Sequence, residues 1–162
     1  MRAVLSIGSN MDDRYALLKT VLDEFSSEIV AQSSIYATPP WGVSDQDEFL
    51  NAVIVVDVDS TPLELLRRGQ KLEEAAERVR VRKWGPRTLD VDIVQVRADD
   101  EEILSDDPEL TLPHPWAWQR AFVLIPWLEV EPDAVLHGTT VAEHVDNLDP
   151  TDIEGVTKIQ EF

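Results

Sequence analysis

The sequence predicts an α+β fold, in which a single domain across residues 1–162 contains an antiparallel sheet with helices on its faces. Apolar and β-branched runs alternate with amphipathic stretches in the order strand, helix, strand, strand, helix, strand. The length of 162 residues, 43% of them hydrophobic, suits one core. No repeat, low-complexity segment or linker divides the chain. This order is that of the ferredoxin-like βαββαβ folds, followed here by C-terminal additions.

Each element in the first half follows from a local pattern. Residues 3–7 form a short apolar strand, and Ser9 or Asn10 is predicted to cap the helix that follows. Residues 30–38 are β-branched and extended, and residues 49–58 form a second strong strand. The first helix is indicated by apolar residues three and four positions apart, at Leu18, Val21, Leu22 and Phe25.

Two capping boxes mark helices in the rest of the chain. Thr61-Pro62-Leu63-Glu64 places proline at the first position of a helix that runs to about residue 79. A strand follows and ends near residue 96. Thr140-Val141-Ala142-Glu143 begins a short helix before an acidic tail. Between the two lies a segment with three tryptophans that are predicted to pack in the core, namely Trp116, Trp118 and Trp127.

The net charge of −18 comes from 14 basic and 32 acidic residues. Such a surface repels nucleic acids and anionic membranes, so we expect neither as a partner. No apolar run is long enough to span a membrane, and the first residues lack the features of a signal peptide. The absence of cysteine excludes disulfides and thiolate sites. We expect a cytoplasmic, monomeric protein with small-molecule partners.

Residues 78–87 are the exception to this acidity. Cations at a helix end, where they interact with the helix dipole, account for the first two basic residues only. Arginine and lysine side chains bind phosphate well, so we expect the segment to bind a specific anionic ligand. It contains no acid and five basic residues, which are Arg78, Arg80, Arg82, Lys83 and Arg87.

An Asp-x-Asp pair, Asp90 and Asp92, follows this basic segment directly. Since side chains alternate along a strand, the two carboxylates share one side with Thr88 and Val94 and lie about 7 Å apart. Magnesium prefers one or two carboxylates plus phosphate oxygens. The pair and the basic segment together predict nucleotide-dependent phosphoryl-type transfer. The other side of the strand can anchor in a core through Leu89, Val91 and Ile93.

Three alternatives stay open on these residues alone. A chance acid pair on solvated surface competes with the metal site, although aspartate is depleted from strands and this pair interrupts an apolar run. A ferredoxin-like nucleic-acid-binding module would use the basic segment and Trp84 to stack bases. A non-catalytic ligand-sensing domain of the same fold is the third.

Six segments together resemble the 6-hydroxymethyl-7,8-dihydropterin pyrophosphokinases of folate biosynthesis. That family has a ferredoxin-like fold, and the chain contains neither a Walker-type phosphate loop nor a protein-kinase glycine loop. The resemblance implies Mg²⁺-dependent transfer of pyrophosphate from ATP to the pterin hydroxymethyl group, which gives AMP and the pterin diphosphate. The segments, in the order and with the spacings of the family, are residues 8–10, 36–40, 49–52, 82–93, 113–115 and 120–123.

The resemblance also implies a role for individual residues. Two Mg²⁺ ions bind Asp90 and Asp92, which act in catalysis with Arg82 and Arg87, and residues 78–86 close over the substrates. The pterin lies between the rings of two phenylalanines, for which core packing is the alternative. The implied pterin-binding residues are Thr38, Pro39, Pro40, Trp41, Phe49, Asn51, Asp90 and Phe122. The implied ATP-binding residues are Gln70, Glu73, Arg80, Trp84, Arg87, Ile93, Thr111, His114 and Arg120. Glu109 departs from the pattern, because some relatives have an arginine there that contacts ATP.

Overall fold

The computed structural model describes residues 1–10, 13–39, 48–78 and 89–162. Its strands are β1 (Arg2–Ser9), β2 (Ile29–Gln32), β3 (Ile35–Thr38), β4 (Phe49–Asp57), β5 (Asp90–Ala98), β6 (Glu101–Glu102), β7 (Ser105–Asp107), β8 (Leu110–Leu112), β9 (Val135–Leu136), β10 (Thr139–Thr140) and β11 (Thr157–Gln160). Its helices are α1 (Arg14–Glu24), α2 (Pro62–Arg78), α3 (Ala121–Val130), α4 (Val141–Asp146) and α5 (Pro150–Glu154), and a 3₁₀ turn covers Ala117–Gln119.

The main sheet has seven strands in the order β11-β3-β4-β1-β5-β6, with β2 also paired to β4. Every pairing in it is antiparallel. β1 lies at the centre, between β4 and β5, as the predicted ferredoxin-like order requires. The prediction of an α+β fold of this type is therefore confirmed. Two short two-stranded sheets, β7–β8 and β9–β10, are the additions outside it.

Helices cover both faces of the sheet. Under α1 and α2, the first core contains Leu5, Ile7 and Ile54, together with the predicted anchors Leu89, Val91 and Ile93. Under α3, the second core is built from alternate residues of the same strands. Its members include Val4, Val53, Val55 and Val94 from the sheet and Leu124 and Trp127 from α3.

Two local predictions in the first half were wrong. The cap of α1 is Asp13, whose Oδ1 accepts from the Ala16 N–H at 3.1 Å, because β1 continues through Ser9 to pair with Leu50. Residues 30–38 are two strands instead of one, since the chain breaks at Ser33, whose Oγ accepts from the Val53 N–H at 2.9 Å. Both strands still pair with β4.

Both predicted capping boxes are confirmed. Thr61 Oγ1 accepts from the Glu64 N–H at 3.2 Å, and Glu64 Oε1 in turn accepts from the Thr61 N–H at 3.4 Å. Thr140 Oγ1 accepts from the Glu143 N–H at 3.2 Å. These reciprocal bonds satisfy backbone donors that a helix start would otherwise leave unpaired.

The tryptophan prediction holds for one residue of three. Trp127 is fully buried, and its Nε1 donates to Glu131 at 2.9 Å. Trp116 and Trp118 are 53% and 43% exposed, so the expectation that they pack in the core was wrong. The 3₁₀ turn directs both away from the sheet before α3 begins, and Trp118 Nε1 donates to the Pro115 carbonyl at 3.0 Å.

The predicted acidic tail is in fact structured, because α5 and β11 follow α4 and β11 pairs with β3. Glu129 of α3 joins these elements. Its carboxylate accepts from Ser34 N at 2.9 Å, Ser34 Oγ at 2.8 Å and Tyr36 Oη at 2.8 Å, and Lys158 Nζ of β11 lies 3.5 Å away. Burial acts to raise the pKa of Glu129, but these donors outweigh it and lower the pKa. Within the described ranges, no helix combines the length and apolar character needed to cross a bilayer.

Candidate active site

One face of the sheet changes from apolar to polar along its length. At one end α3 covers it, and at the other it forms the floor of a cavity of about 1020 Å³. The strand register places Gly8 of β1 between Asn51 of β4 and Asp90 of β5, and Ser6 beside Asp92. The predicted alternation is therefore confirmed for the two aspartates, which line the cavity on the face that carries Val94. Thr88 lies outside the described residues.

His114 and Arg120 lie close to the acid pair. Burial lowers the pKa of His114, the Asp92 carboxylate acts to raise it, and Arg120 acts to lower it further. The neutral ring is thus favoured, and its Nδ1 accepts from the Trp116 N–H at 3.2 Å. Nε2 then carries the proton and can donate to an anionic oxygen. A backbone bond from His114 N to the Val94 carbonyl, at 2.8 Å, fixes this segment along β5.

The acid pair has the donor set of a cation that is shared with a substrate. Among the residues that the structure describes, no group of three or more metal-binding side chains comes together. A divalent ion at Asp90 and Asp92 would therefore take its remaining oxygens from substrate and water, which is the coordination that Mg²⁺ prefers.

The middle of the cavity combines aromatic and amide side chains. Phe49 comes from the start of β4 and Phe122 from the first turn of α3, and both line it. Asn51 is buried, and its Nδ2 donates to Thr38 Oγ1 at 3.1 Å. The Arg120 guanidinium lies 5.8 Å from the centre of the Phe122 ring. A flat, polar heterocycle matches such a surface, because ring faces stack while amides bind its edge.

Gly8 leaves room for Asn51. A Cβ at position 8 would lie 2.8 Å from Asn51 Oδ1, which is closer than real side chains approach. The absence of a side chain therefore allows the Asn51 amide to extend across β1 towards Asp90.

Gly8→Ala is expected to raise the KM of the heterocyclic substrate by about tenfold, which corresponds to the loss of one hydrogen bond to a buried group. The added methyl group displaces Asn51, so its bond to Thr38 is lost while the sheet stays intact. Steady-state kinetics of Gly8→Ala, Asn51→Ala and the double variant test this. If glycine acts through Asn51, the double variant is little worse than Asn51→Ala, whereas additive losses contradict the assignment.

Four of the sequence-predicted positions lie away from this cavity. Glu73 Oε2 accepts from the Val91 N–H at 3.0 Å, and Ile93 is buried in the core under α1 and α2. Gln70 Oε1 accepts from Arg67 Nη1 at 2.7 Å, and Arg67 also pairs with Glu109. Thr111 Oγ1 donates to the Asp107 carbonyl at 3.1 Å. Pro40, Trp41, Arg80, Arg82, Trp84 and Arg87, with the segment predicted to close over the substrates, lie outside the described residues.

Sequence reasoning missed part of the cavity. No sequence pattern marks Trp118 as a cavity residue, and the C-terminal residues come close only through the pairing of β11 with β3. Gly8 was noted only as the end of a strand. The cavity-lining residues not predicted for the site include Ser6, Gly8, Trp118, Leu148, Gly155 and Val156.

The fold and this cavity define a ferredoxin-like domain with a pocket for a small ligand beside an acid pair. Residues 4–132 match the family model described as 7,8-dihydro-6-hydroxymethylpterin-pyrophosphokinase (HPPK). The chain belongs to this family and is a pyrophosphokinase, a transferase of the diphosphate group. Family membership decides for an enzyme over the nucleic-acid-binding and ligand-sensing alternatives.

Several relatives share the name 2-amino-4-hydroxy-6-hydroxymethyldihydropteridine pyrophosphokinase. The chain is 50% identical over 142 residues to that of Mycobacterium tuberculosis, which covers 83% of this chain and 75% of the relative. It is 43% identical over 159 residues to that of Methylorubrum extorquens, which covers 96% and 98%. Crystal structures of Plasmodium falciparum HPPK-DHPS share the fold, with a TM-score of 0.63 at 14% identity over 90% of this chain. The chain spans 45% of that longer chain.

Proposed function

We propose that this pyrophosphokinase transfers the terminal diphosphate of ATP to the hydroxymethyl oxygen of 6-hydroxymethyl-7,8-dihydropterin in folate biosynthesis. The products are AMP and the pterin diphosphate. The observation that carries the proposal is that one cavity contains the acid pair Asp90 and Asp92 together with Phe49, Asn51 and Phe122. The names of the relatives support it. We expect a cytoplasmic monomer that acts on these two small molecules.

The pterin ring is proposed to bind between Phe49 and Phe122. Offset stacking on two ring faces stabilises a flat bicyclic heterocycle without requiring a polar partner. Asn51, with two donors and one acceptor, binds the polar edge of the ring, and Thr38 and the segment 39–41 supply the rest. This placement directs the hydroxymethyl group along the floor to Asp90.

The triphosphate is proposed to bind along β5. Asp90 and Asp92 would hold two Mg²⁺ ions, which supply charge neutralisation to the phosphate oxygens when bound. His114 Nε2 and the Arg120 guanidinium donate to phosphate oxygens from the cavity side. Cations spread along the triphosphate are needed because both the departing AMP and the transferred diphosphate are charged. The proposed nucleotide contacts further include Gln70, Glu73, Ile93, Thr111 and, from residues 80–87, Arg80, Arg82, Trp84 and Arg87.

In this reaction the hydroxymethyl oxygen attacks the β-phosphorus of ATP. The new oxygen–phosphorus bond forms as the bond from the β-phosphorus to the α,β-bridging oxygen breaks, and AMP leaves with that oxygen. A loose transition state requires little removal of the hydroxyl proton before the bond breaks. Positioning and charge stabilisation by the arginines, His114 and the acid pair therefore account for catalysis without a dedicated general base.

Product analysis with labelled ATP tests the proposal. Incubation with Mg²⁺ and the hydroxymethyl dihydropterin is expected to give AMP and pterin diphosphate in equal amounts. The matched control is 6-methyl-7,8-dihydropterin, which stacks in the same way but has no acceptor oxygen, and it is expected to give no AMP. Formation of ADP and a pterin monophosphate would refute the proposal.

A further inference from the structure

The segment 147–156 forms one wall of the cavity. It connects α4 to β11, and its half-buried residues Leu148, Gly155 and Val156 line the cavity with the exposed Asp152. The family-model match ends at residue 132, so the wall lies outside the matched stretch.

This wall is fixed to the strand that carries Thr38. Thr157 and Lys158 of β11 pair with Ala37 and Tyr36 of β3. Gly155 lies against Pro39, since a Cβ on this glycine would be 3.7 Å from Pro39 Cδ. The pairing and this contact hold the wall in register with the polar floor of the cavity.

The strand order places the wall opposite the acid pair. From β5 the order runs through β1, β4 and β3 to β11, and neighbouring strands are about 4.8 Å apart. Asp90 on β5 and Asn51 on β4 are thus separated by two spacings, about 10 Å. A heterocycle whose reacting group is at Asp90 and whose ring lies at Phe49 and Asn51 directs its far edge towards β3 and the wall.

We propose that Leu148, Asp152 and Val156 select the heterocycle by its far edge, which in a pterin is the aminopyrimidinone ring. Leu148 and Val156 limit the room beyond the ring. Asp152, ionised and therefore an acceptor only, matches the amino and ring N–H donors of that edge. Asp149 of the same wall instead caps α5, where its Oδ1 accepts from the Thr151 N–H at 2.8 Å. The inference rests on the proposed function and assigns specificity within it.

The test compares 6-hydroxymethyl-7,8-dihydropterin with its analogue methylated on the 2-amino group. Wild-type protein is expected to discriminate against the methylated substrate in kcat/KM. Leu148→Ala and Val156→Ala are expected to reduce this discrimination about tenfold, because one methyl group in a fitted pocket is worth about 10- to 200-fold. Asp152→Asn, at an exposed position, is expected to raise the pterin KM about fivefold by removing one acceptor. The KM of ATP is expected to stay unchanged in all three.

Ile159→Ala is the matched control. Ile159 is an exposed side chain of β11, 48% accessible, that lines a separate cavity beside Arg14 and Tyr15. The wall assignment is overturned if the three variants keep the discrimination and the pterin KM of this control. If wild-type protein forms no AMP with the unmodified pterin, the proposed function itself fails, so the two failures are distinguishable.

Discussion

Asp90→Ala and Asp92→Ala are each expected to lower kcat by about 10³-fold or more, because losing a preorganised charge site at a transferring phosphoryl group has effects of this size. Both carboxylates line the cavity at the polar end of the sheet, while the apolar residues of β5 supply the core. The fold is therefore expected to survive either change. Initial rates at saturating Mg²⁺, with circular dichroism for the fold, measure this.

Asp106→Ala is the control for the acid pair, because Asp106 is an exposed strand aspartate of the separate β7–β8 sheet. It is expected to retain wild-type turnover. Calorimetric titration of Mg²⁺ with a non-hydrolysable ATP analogue should show weaker binding for the two cavity variants only. Near wild-type activity in either would contradict the metal-site assignment, and a large fall in melting temperature would point to a structural role.

Glu129→Ala is expected to lower the free energy of unfolding by about 2–3 kcal/mol, since buried donors that lose their acceptor are costly. The substitution strands the N–H and hydroxyl of Ser34 and the hydroxyl of Tyr36, and both residues are buried. Urea unfolding at pH 7 measures the loss. Glu154→Ala, which removes an exposed carboxylate from α5, is the control and is expected to change stability little.

The contribution of Glu129 should also depend on pH. Because its pKa is lowered in the folded state, its ionised form stabilises the fold above the unfolded-state pKa, and this part is lost as the pH falls through the folded-state pKa. The stability difference between wild type and Glu129→Gln should therefore be constant near neutrality and should shrink at acidic pH. A difference that grows on acidification would contradict this account.

The sequence alone predicted the elements that have a strong local signal. Alternation along β5 correctly separated Asp90 and Asp92 from Val91 and Ile93, because a strand with one polar and one apolar face has only one arrangement that buries the apolar side. Helix starts with a complete capping box were equally predictable. In each case the pattern and the structure that satisfies it lie within a few residues.

The features that escaped prediction depend on distant partners. All four residues of β11 are exposed, so the strand has no buried face to give an alternating pattern. Its position is set by backbone hydrogen bonds to β3. The exposure of Trp116 and Trp118 likewise depends on the path of the 3₁₀ turn relative to the sheet. The far wall of the cavity, which uses both kinds of feature, was therefore invisible to local patterns.

The pairing of β11 with β3 also has a consequence for the synthesis of the enzyme. Residues 35–38 leave the ribosome more than a hundred residues before their partner strand is made, and contacts between such distant segments form late in folding. The ring-binding floor can assemble first, around β1, β4 and β5, as the N-terminal part of a chain folds ahead of the rest. Refolding should therefore recover core fluorescence before it recovers substrate selectivity, with the two properties separated in time.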